Sequence, residues 1–244
     1  MDSLFWKQLN PKVIYEPTRK QFYGKYCYKL VLKAYGSRSL NDNRFDTLKE
    51  AIDDRILNYR AHNYGGSWRA NYINDLHSAD FDQLEELKSI KNGYDNLIKM
   101  RIEEPWVQIY AQDEDTLKNI SKRFSDSAKK NIISISTPEY AEDEKYLKRD
   151  VILIKKFNGY KYKIFLRDGN YGAKIKQSII DYLNIASGDV KFPKSVERQL
   201  SSNYPWMWGC YFYAIDQNIT TALNLIQPGI IGKIHELVLA GNKY

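Results

Sequence analysis

The chain has 244 residues, of which 43% are hydrophobic and 14% aromatic, a composition too apolar for a disordered protein. Lysine and arginine outnumber aspartate and glutamate by 37 to 30, and the resulting net charge of +7 favours a polyanionic partner. The two cysteines, Cys27 and Cys210, lie far apart, which excludes a disulfide framework and a thiolate zinc site made by this chain alone.

The first half of the chain predicts a hairpin followed by alternating helices and strands. The hairpin would turn at Tyr23-Gly24, and Asp113 would be the N-cap of a helix. The predicted elements, in chain order, are strands at 13–15 and 25–35, a helix at 45–60, a helix from about Phe81 to Met100, a strand at 106–111, a helix at 114–124 and a strand at 131–136.

The second half predicts a similar series of elements. VILIKKF and YKYKIFL flank Asn158-Gly159, the dipeptide that most readily forms a tight type I′ hairpin turn, and Asp216 would cap a later helix. The predicted elements are a hairpin at 151–166, a helix at 171–185, an aromatic strand at 206–216, a helix at 217–226 and a strand at 232–240.

Three landmarks recur in the two halves in the same order. FYGKYCYKLVLK (22–33) resembles FNGYKYKIFLRD (157–168), Pro105-Trp106 and Pro205-Trp206 each open a predicted strand, and Tyr-Ala-x-Asp ends at Asp113 and again at Asp216. We therefore predict an α+β protein of two tandem ferredoxin-like (split βαβ) halves, each an antiparallel sheet with helices on one face. The predicted domains are 1–140, with an insertion at 61–104, and 141–244; a shorter insertion is predicted around 190–200.

Tyrosine and lysine are concentrated on one predicted strand of each half. On the second strand, Tyr160, Tyr162, Ile164 and Leu166 would lie on one face and Lys161, Lys163 and Phe165 on the other. Such rings can stack on unpaired bases while ammonium groups hold the phosphates. The alternative is a half-buried strand with tyrosine in the core and lysine in water. The candidate binding residues on these strands are Lys25, Tyr26, Tyr28, Lys29, Tyr160, Lys161, Tyr162 and Lys163.

The segment NYGGSWRANY (63–72) is a candidate binding loop. Its paired glycines give the backbone freedom, Trp68 can stack on a base, and the guanidinium of Arg69 can bind phosphate. It matches neither GxxxxGK[ST] nor GxGxxG, so it does not indicate a nucleotide-binding loop. A plain surface turn is the alternative.

Catalytic readings have less support in the sequence. His62 and His77 flank the glycine loop and could act as acid and base in metal-free RNA cleavage, but the sequence gives neither a partner. The acidic run 113–115 could suggest metal binding, yet carboxylates in a first helical turn also complement the helix dipole. We predict no catalytic residue, no metal and no cofactor.

The tandem order, basic charge and length resemble the CRISPR repeat-processing endoribonucleases, which would imply RNA cleavage with a histidine base. The glycine-rich loop of that family is matched poorly by QPGIIGKI (227–234), and its histidine cannot be placed here. The stretch from KRDVILIKKFNGYKYKIFL to YFYAIDQNITTALNLI is similar to uncharacterised proteins of bacterial viruses, which implies a viral origin.

The combined prediction is a binding protein rather than an enzyme, with single-stranded DNA or RNA as its ligand. The alternatives are a protein that contacts other protein chains or its own copies and, third, a metal-independent endoribonuclease. No stretch approaches the ~18 apolar residues of a membrane span, and the N-terminus lacks a signal-peptide pattern. We therefore expect a cytoplasmic location, in the host if the protein is viral, and no membrane partner.

Overall fold

The computed structural model describes residues 3–61 and 73–242, which form two compact units. The first unit comprises the described residues of Met1–Thr18 and Lys25–Ala141, and the second those of Arg19–Gly24 and Glu142–Tyr244. Each unit contains a five-stranded mixed sheet together with helices, so the protein is α+β.

The N-terminal unit has its sheet in the order β1-β5-β2-β4-β3. Strand β1 is parallel to β5, and the remaining neighbours are antiparallel. Its elements in chain order are α1 (Ser3–Leu9), β1 (Ile14–Thr18), β2 (Tyr28–Lys33), α2 (Leu48–Ala61), α3 (Phe81–Gly93), β3 (Ile98–Glu103), β4 (Trp106–Ala111), α4 (Glu114–Arg123), α5 (Asp126–Lys130) and β5 (Ile132–Pro138).

The C-terminal unit has its sheet in the order β6-β12-β7-β11-β9, and β8 pairs with β10 in a separate short ladder. Strand β6 is parallel to β12, and the remaining neighbours are antiparallel. Its elements are β6 (Val151–Ile154), β7 (Tyr162–Leu166), β8 (Gly169–Asn170), α6 (Ala173–Ile185), β9 (Val190–Lys191), α7 (Lys194–Ser201), β10 (Trp206–Met207), β11 (Tyr211–Ala214), α8 (Ile219–Ile226) and β12 (Ile231–Leu239).

The two five-stranded sheets share one plan of strand order and direction. In each sheet, the first strand in sequence (β1 or β6) pairs parallel with the last (β5 or β12). The last strand pairs antiparallel with the second (β2 or β7). The second strand pairs antiparallel with the strand that carries the Tyr-Ala sequence (β4 or β11). The register agrees as well, because Tyr28 lies opposite Ala111 and Tyr162 lies opposite Ala214. The shared Tyr-Ala-x-Asp sequence therefore begins at the same place in both sheets.

Neither predicted hairpin forms. Strand β5 lies between β1 and β2, and β12 lies between β6 and β7. The predicted turn residues do adopt left-handed conformations, with φ of 55° at Tyr23, 66° at Gly24 and 87° at Gly159. However, the strands end well before these turns. Strands β6 and β7, which have β12 between them, lie only ~10 Å apart, and residues 155–161 are long enough to span that distance. Asn158 does not share the positive φ of Gly159, so the Asn-Gly pair does not form the predicted type I′ turn. A local turn also does not fix which strands are neighbours.

Two segments predicted as insertions contain sheet strands. Helix α3 ends at Gly93, and Ile98–Glu103, which the sequence analysis assigned partly to that helix, forms edge strand β3. In the other unit, Val190–Lys191 forms edge strand β9. Ile98, Met100 and Ile102 alternate with charged residues, a period of two that favours a strand over a helix.

Two of the repeated landmarks differ between the halves. Trp106 opens sheet strand β4, whereas Trp206 lies in the separate β8–β10 ladder, so the two Pro-Trp pairs are not structural counterparts. Asp113 is the N-cap of α4, as predicted, and accepts a hydrogen bond from the Thr116 amide at 2.7 Å. Asp216 accepts instead from the Asn218 amide at 2.6 Å, and Asn218 is the N-cap residue of α8.

One face of the C-terminal sheet is covered by helices. Ile164 and Phe212 are fully buried from the strand side, and Ile179 of α6 and Leu223 of α8 are fully buried from the helix side, in one apolar cluster. Each such side chain contributes about 1.5–3 kcal/mol through burial. The opposite face of the same strands carries no helix of this cluster, and it is there that the functional candidates lie.

Within the described ranges, no helix combines the length and the apolar character that crossing a membrane requires.

Candidate nucleic-acid interface

The uncovered face of the C-terminal sheet carries a cluster of aromatic and basic side chains. Side chains alternate between the two faces of a strand, so burial of Ile164 and Phe212 turns their neighbours Lys163, Tyr211 and Tyr213 to the other side. All of the side chains in this cluster are partly exposed to solvent. We call this cluster the open face and define it as Lys163, Phe165, Tyr211, Tyr213 and His235.

Lys163 lies at the centre of the open face. It is opposite Tyr213 on one side and opposite His235 on the other. Its Nζ lies 3.7 Å from the ring centroid of Tyr211, 5.0 Å from that of Phe165 and 5.8 Å from that of Tyr213. A cation within about 6 Å of an aromatic face is attracted to it, so the ammonium is held among the rings.

The aromatic rings of the open face form a contiguous series. The Phe165 and Tyr211 centroids are 5.6 Å apart, and those of Tyr211 and Tyr213 are 5.7 Å apart with the rings nearly perpendicular at 84°. Tyr160 extends the series, since its centroid lies 6.3 Å from that of Tyr213. All three spacings lie within the range in which aromatic rings attract one another, and the Tyr211–Tyr213 pair has the preferred edge-to-face geometry.

Further lysines surround the rings. Lys191 of β9 is opposite Tyr213, and Lys233 of β12 is opposite Phe165; both side chains are exposed. Burial and, to a lesser extent, the charge of Lys20 lower the pKa of Lys163. None of the ion pairs in the described part of the chain includes Lys163. A bound anion would relieve the repulsion between Lys163 and Lys20.

Two titratable groups of the open face resist ionisation. Burial raises the pKa of Tyr213, and the neighbouring Tyr211 adds to the effect. Burial lowers the pKa of His235, the charges of Lys20, Lys233 and Lys163 lower it further, and Asp150 opposes them. The Nδ1 atom of His235 is buried and has no hydrogen-bond partner among the described residues, and its ring lies edge-on to Phe165 at 5.7 Å. The face therefore presents neutral rings around one cation.

The structure corrects the predicted site in the N-terminal half. Tyr26 and Tyr28 are each only 7% exposed, so neither ring offers an open surface for a base. Tyr28 belongs to the buried side of β2, and Tyr26 packs against Tyr110 with their centroids 6.4 Å apart. Lys29 faces the other way and forms an ion pair with Glu16 at 3.2 Å. In the N-terminal sheet, the alternative prediction therefore holds: β2 is a half-buried strand with tyrosine on its core side and lysine on its other side.

The remaining predicted residues are dispersed. Tyr162 packs against the apolar core on the helix side, which removes it from the open face, whereas Lys161 is exposed beside the strand. Lys25 is exposed and lies 5.2 Å from the ring of Tyr26. Trp68 and Arg69, together with His62, lie outside the described residues.

Sequence reasoning missed four members of the open face, Phe165, Tyr211, Tyr213 and His235. The alternation of β7 was visible, but it does not by itself say which side faces the core. The purely aliphatic pair Ile164 and Leu166 was the available signal, since aliphatic side chains are buried more often than tyrosine.

The comparisons with known proteins found no counterpart: no family model, no curated protein and no solved structure matches this chain. Within residues 3–61 and 73–242, no group of three or more histidine, cysteine, aspartate or glutamate side chains is arranged to hold a metal ion.

Proposed function

We propose that this protein binds single-stranded nucleic acid on the open face of its C-terminal sheet, and that its role is binding rather than catalysis. The observation that carries the proposal is Lys163 held among the rings of Phe165, Tyr211 and Tyr213, on the sheet face opposite the one that helices α6, α7 and α8 cover. Unpaired bases stack on aromatic side chains, and lysine neutralises the phosphates between them.

The charge distribution supports a polyanion over a neutral ligand. Lys20, Lys191 and Lys233 lie around the rings, and the chain as a whole carries +7. The negative charge of Asp150 also acts on His235, where it is opposed by Lys20, Lys233 and Lys163. The rings are flanked by cations on both neighbouring β-strands. A single-stranded nucleic acid that crosses the sheet would therefore meet a phosphate-binding group on either side of each stacked base.

We also propose that the two units are tandem copies of one ferredoxin-like domain with an added edge strand. Without β1, the first sheet runs β5-β2-β4-β3, which is the split βαβ order with antiparallel neighbours. Without β6, the second runs β12-β7-β11-β9 in the same way. The common register of Tyr28 and Tyr162 supports a duplication. A viral origin and a cytoplasmic location stay predictions.

The two copies would then have diverged in function. At the position of Lys163, the N-terminal sheet has Lys29, whose charge is paired with Glu16. At the position of Tyr213 it has Tyr110, which is only 4% exposed. We therefore assign nucleic-acid binding to the C-terminal unit.

Fluorescence anisotropy with a labelled oligothymidylate and an oligouridylate tests this proposal. We expect saturable binding that weakens steeply between about 50 mM and 200 mM salt, because phosphate contacts release counterions. The double variant Tyr211→Ala/Tyr213→Ala should lower the affinity at least about tenfold, since each stacked base contributes about 1–3 kcal/mol.

The matched control is Tyr140→Ala, which removes an exposed tyrosine (44% exposed) from the N-terminal unit. It should leave the affinity unchanged. Absence of binding by the wild-type protein at low salt, or equal losses in the double variant and the control, would contradict the proposal.

A further inference from the structure

A second group of aromatic side chains lies exposed just before strand β11. Tyr204 is 61% exposed, Trp206 48% and Trp208 52%, and the rings of Tyr204 and Trp208 meet edge to face at 6.1 Å. We call these three residues the aromatic flap. Large aromatic rings that are grouped on a surface often mark an interaction site, because a bound partner would remove their apolar area from water.

The backbone of the aromatic flap is held firmly in place. The ammonium of Lys176, whose side chain is 1% exposed, donates to the carbonyl oxygens of Ser202 at 2.6 Å and Tyr204 at 2.9 Å. The side chain of Gln199 accepts from the Trp208 amide and donates to its carbonyl, both at 3.1 Å. A backbone that is already held in place loses less conformational entropy on binding than a mobile one, which favours a binding role.

The aromatic flap continues the strands that form the open face. Met207 and Cys210 point into the same apolar core as Phe212, so Trp206 and Trp208 lie on the other side of the backbone. Gly209, which lies between Trp208 and Cys210, has a φ of +61°, and its amide donates to the carboxylate of Asp168 just beyond β7 at 2.7 Å. The β8–β10 ladder keeps the register of the β7–β11 ladder, so the aromatic flap lies on the continuation of the strands that form the open face.

We propose that the aromatic flap is a second stacking site for the same single strand of nucleic acid, which extends from the open face along β7 and β11. This inference rests on the proposed function. Arg167, which is exposed, lies in sequence between Phe165 of the open face and Asp168, the acceptor of the Gly209 amide. Its positive charge would contact the phosphates that join the bases on the open face to those on the aromatic flap. The carboxylate of Asp168 is already engaged by the Gly209 amide. Both the charge and the continuity of the strands favour nucleic acid as the occupant.

The proposal predicts a dependence of affinity on ligand length. An oligothymidylate of about 4 nucleotides would fill the open face alone, and one of about 12 would reach the aromatic flap as well. Wild-type protein should therefore bind the longer ligand at least about tenfold more tightly. Binding of the longer ligand should also quench tryptophan fluorescence, because Trp206 and Trp208 would stack on bases.

The test is a comparison of two double variants against both ligands by fluorescence anisotropy. Trp206→Ala/Trp208→Ala should lose about tenfold in affinity for the longer ligand and nothing for the shorter one. Tyr211→Ala/Tyr213→Ala should lose affinity for both. Circular dichroism and the thermal midpoint establish that each variant is folded, and Trp208→Phe should restore most of the loss caused by Trp208→Ala.

The possible outcomes separate this inference from the proposed function. If neither ligand binds wild-type protein, the proposed function fails and this inference fails with it. If the tyrosine variant loses affinity but the tryptophan variant binds both ligands like wild type, only this inference is overturned. A tryptophan variant that keeps its affinity and changes its mass in light scattering would instead assign the flap to a contact between copies of the chain.

Discussion

The Nζ atom of Lys163 lies 3.7 Å from the ring centroid of Tyr211, on the face of the C-terminal sheet that its helices leave open. This contact joins a cation to an aromatic ring at the point where strands β7 and β11 pair. A nucleotide needs both kinds of contact, one for its phosphate and one for its base.

Lys163→Met should weaken binding of single-stranded nucleic acid about fivefold, which corresponds to about 1 kcal/mol. It should also reduce the slope of log affinity against log salt by about 0.7, because one phosphate contact is lost from a single strand. Lys29→Met is the matched control, since Lys29 holds the equivalent register position and is paired with Glu16. Equal effects of the two changes on the salt slope would contradict the assignment to the C-terminal unit.

The stability of the protein should fall at mildly acidic pH because of His235. Its pKa is lowered in the folded protein by burial and nearby lysines, against 6.5 for the ordinary side chain. The unfolded chain therefore takes up a proton more readily than the folded protein. The stabilisation that is present above the unfolded-state pKa is lost as the pH falls towards the folded-state pKa. Urea denaturation at about pH 7 and about pH 5.5 should show this loss in wild type and a smaller one in His235→Gln. An equal loss of stability in His235→Gln would show that titratable groups other than His235 cause it.

A buried ion pair supports the N-terminal unit. Arg55 Nη2 lies 2.6 Å from Glu104 Oε2, and the two side chains are 13% and 4% exposed. Arg55→Met removes the guanidinium that compensates the buried carboxyl group of Glu104, which should lower the free energy of unfolding by about 3–5 kcal/mol. Chemical denaturation measures this loss. Arg44→Met, which breaks an exposed contact with Asp42, should leave the stability close to wild type. Similar losses in both variants would refute the role given to burial.

Both cysteines should be unreactive in the folded protein. Burial raises the pKa of Cys210 to about 11, so almost none of it is thiolate at neutral pH, and its side chain is only 1% exposed. Cys27 is 6% exposed. Titration with a thiol-reactive disulfide at neutral pH should label neither group within minutes and both after denaturation. Rapid labelling of Cys210 in the native protein would show that the core around β11 opens more readily than its packing indicates.

Local elements were predictable from the sequence where a local signal determines them. Asp113 followed by acidic residues and an amphipathic run gave the start of α4, and Ile231–Leu239 was a strand as expected. The glycine at 159 adopts the left-handed backbone that the Asn-Gly pair predicted. In each of these cases the deciding interactions lie within a few residues along the chain.

Strand neighbours and sheet faces could not be predicted in the same way. Whether β12 enters between β6 and β7 depends on contacts between residues that are far apart in sequence, and a turn dipeptide carries no information about them. The burial of Tyr28 and Tyr162 likewise depends on which side the helices cover. For the same reason the tyrosine side of β7 was predicted to be the accessible one, although Lys163 of the open face was among the predicted residues.

The most direct test of nucleic-acid binding on the open face is photo-crosslinking to an oligonucleotide that contains bromouracil, followed by mapping of the crosslinked peptides by mass spectrometry. The proposal predicts crosslinks at Phe165, Tyr211 and Tyr213, and their loss when an excess of unlabelled oligonucleotide is added. Crosslinks confined to the N-terminal unit, or none above the level given by a denatured sample, would contradict it.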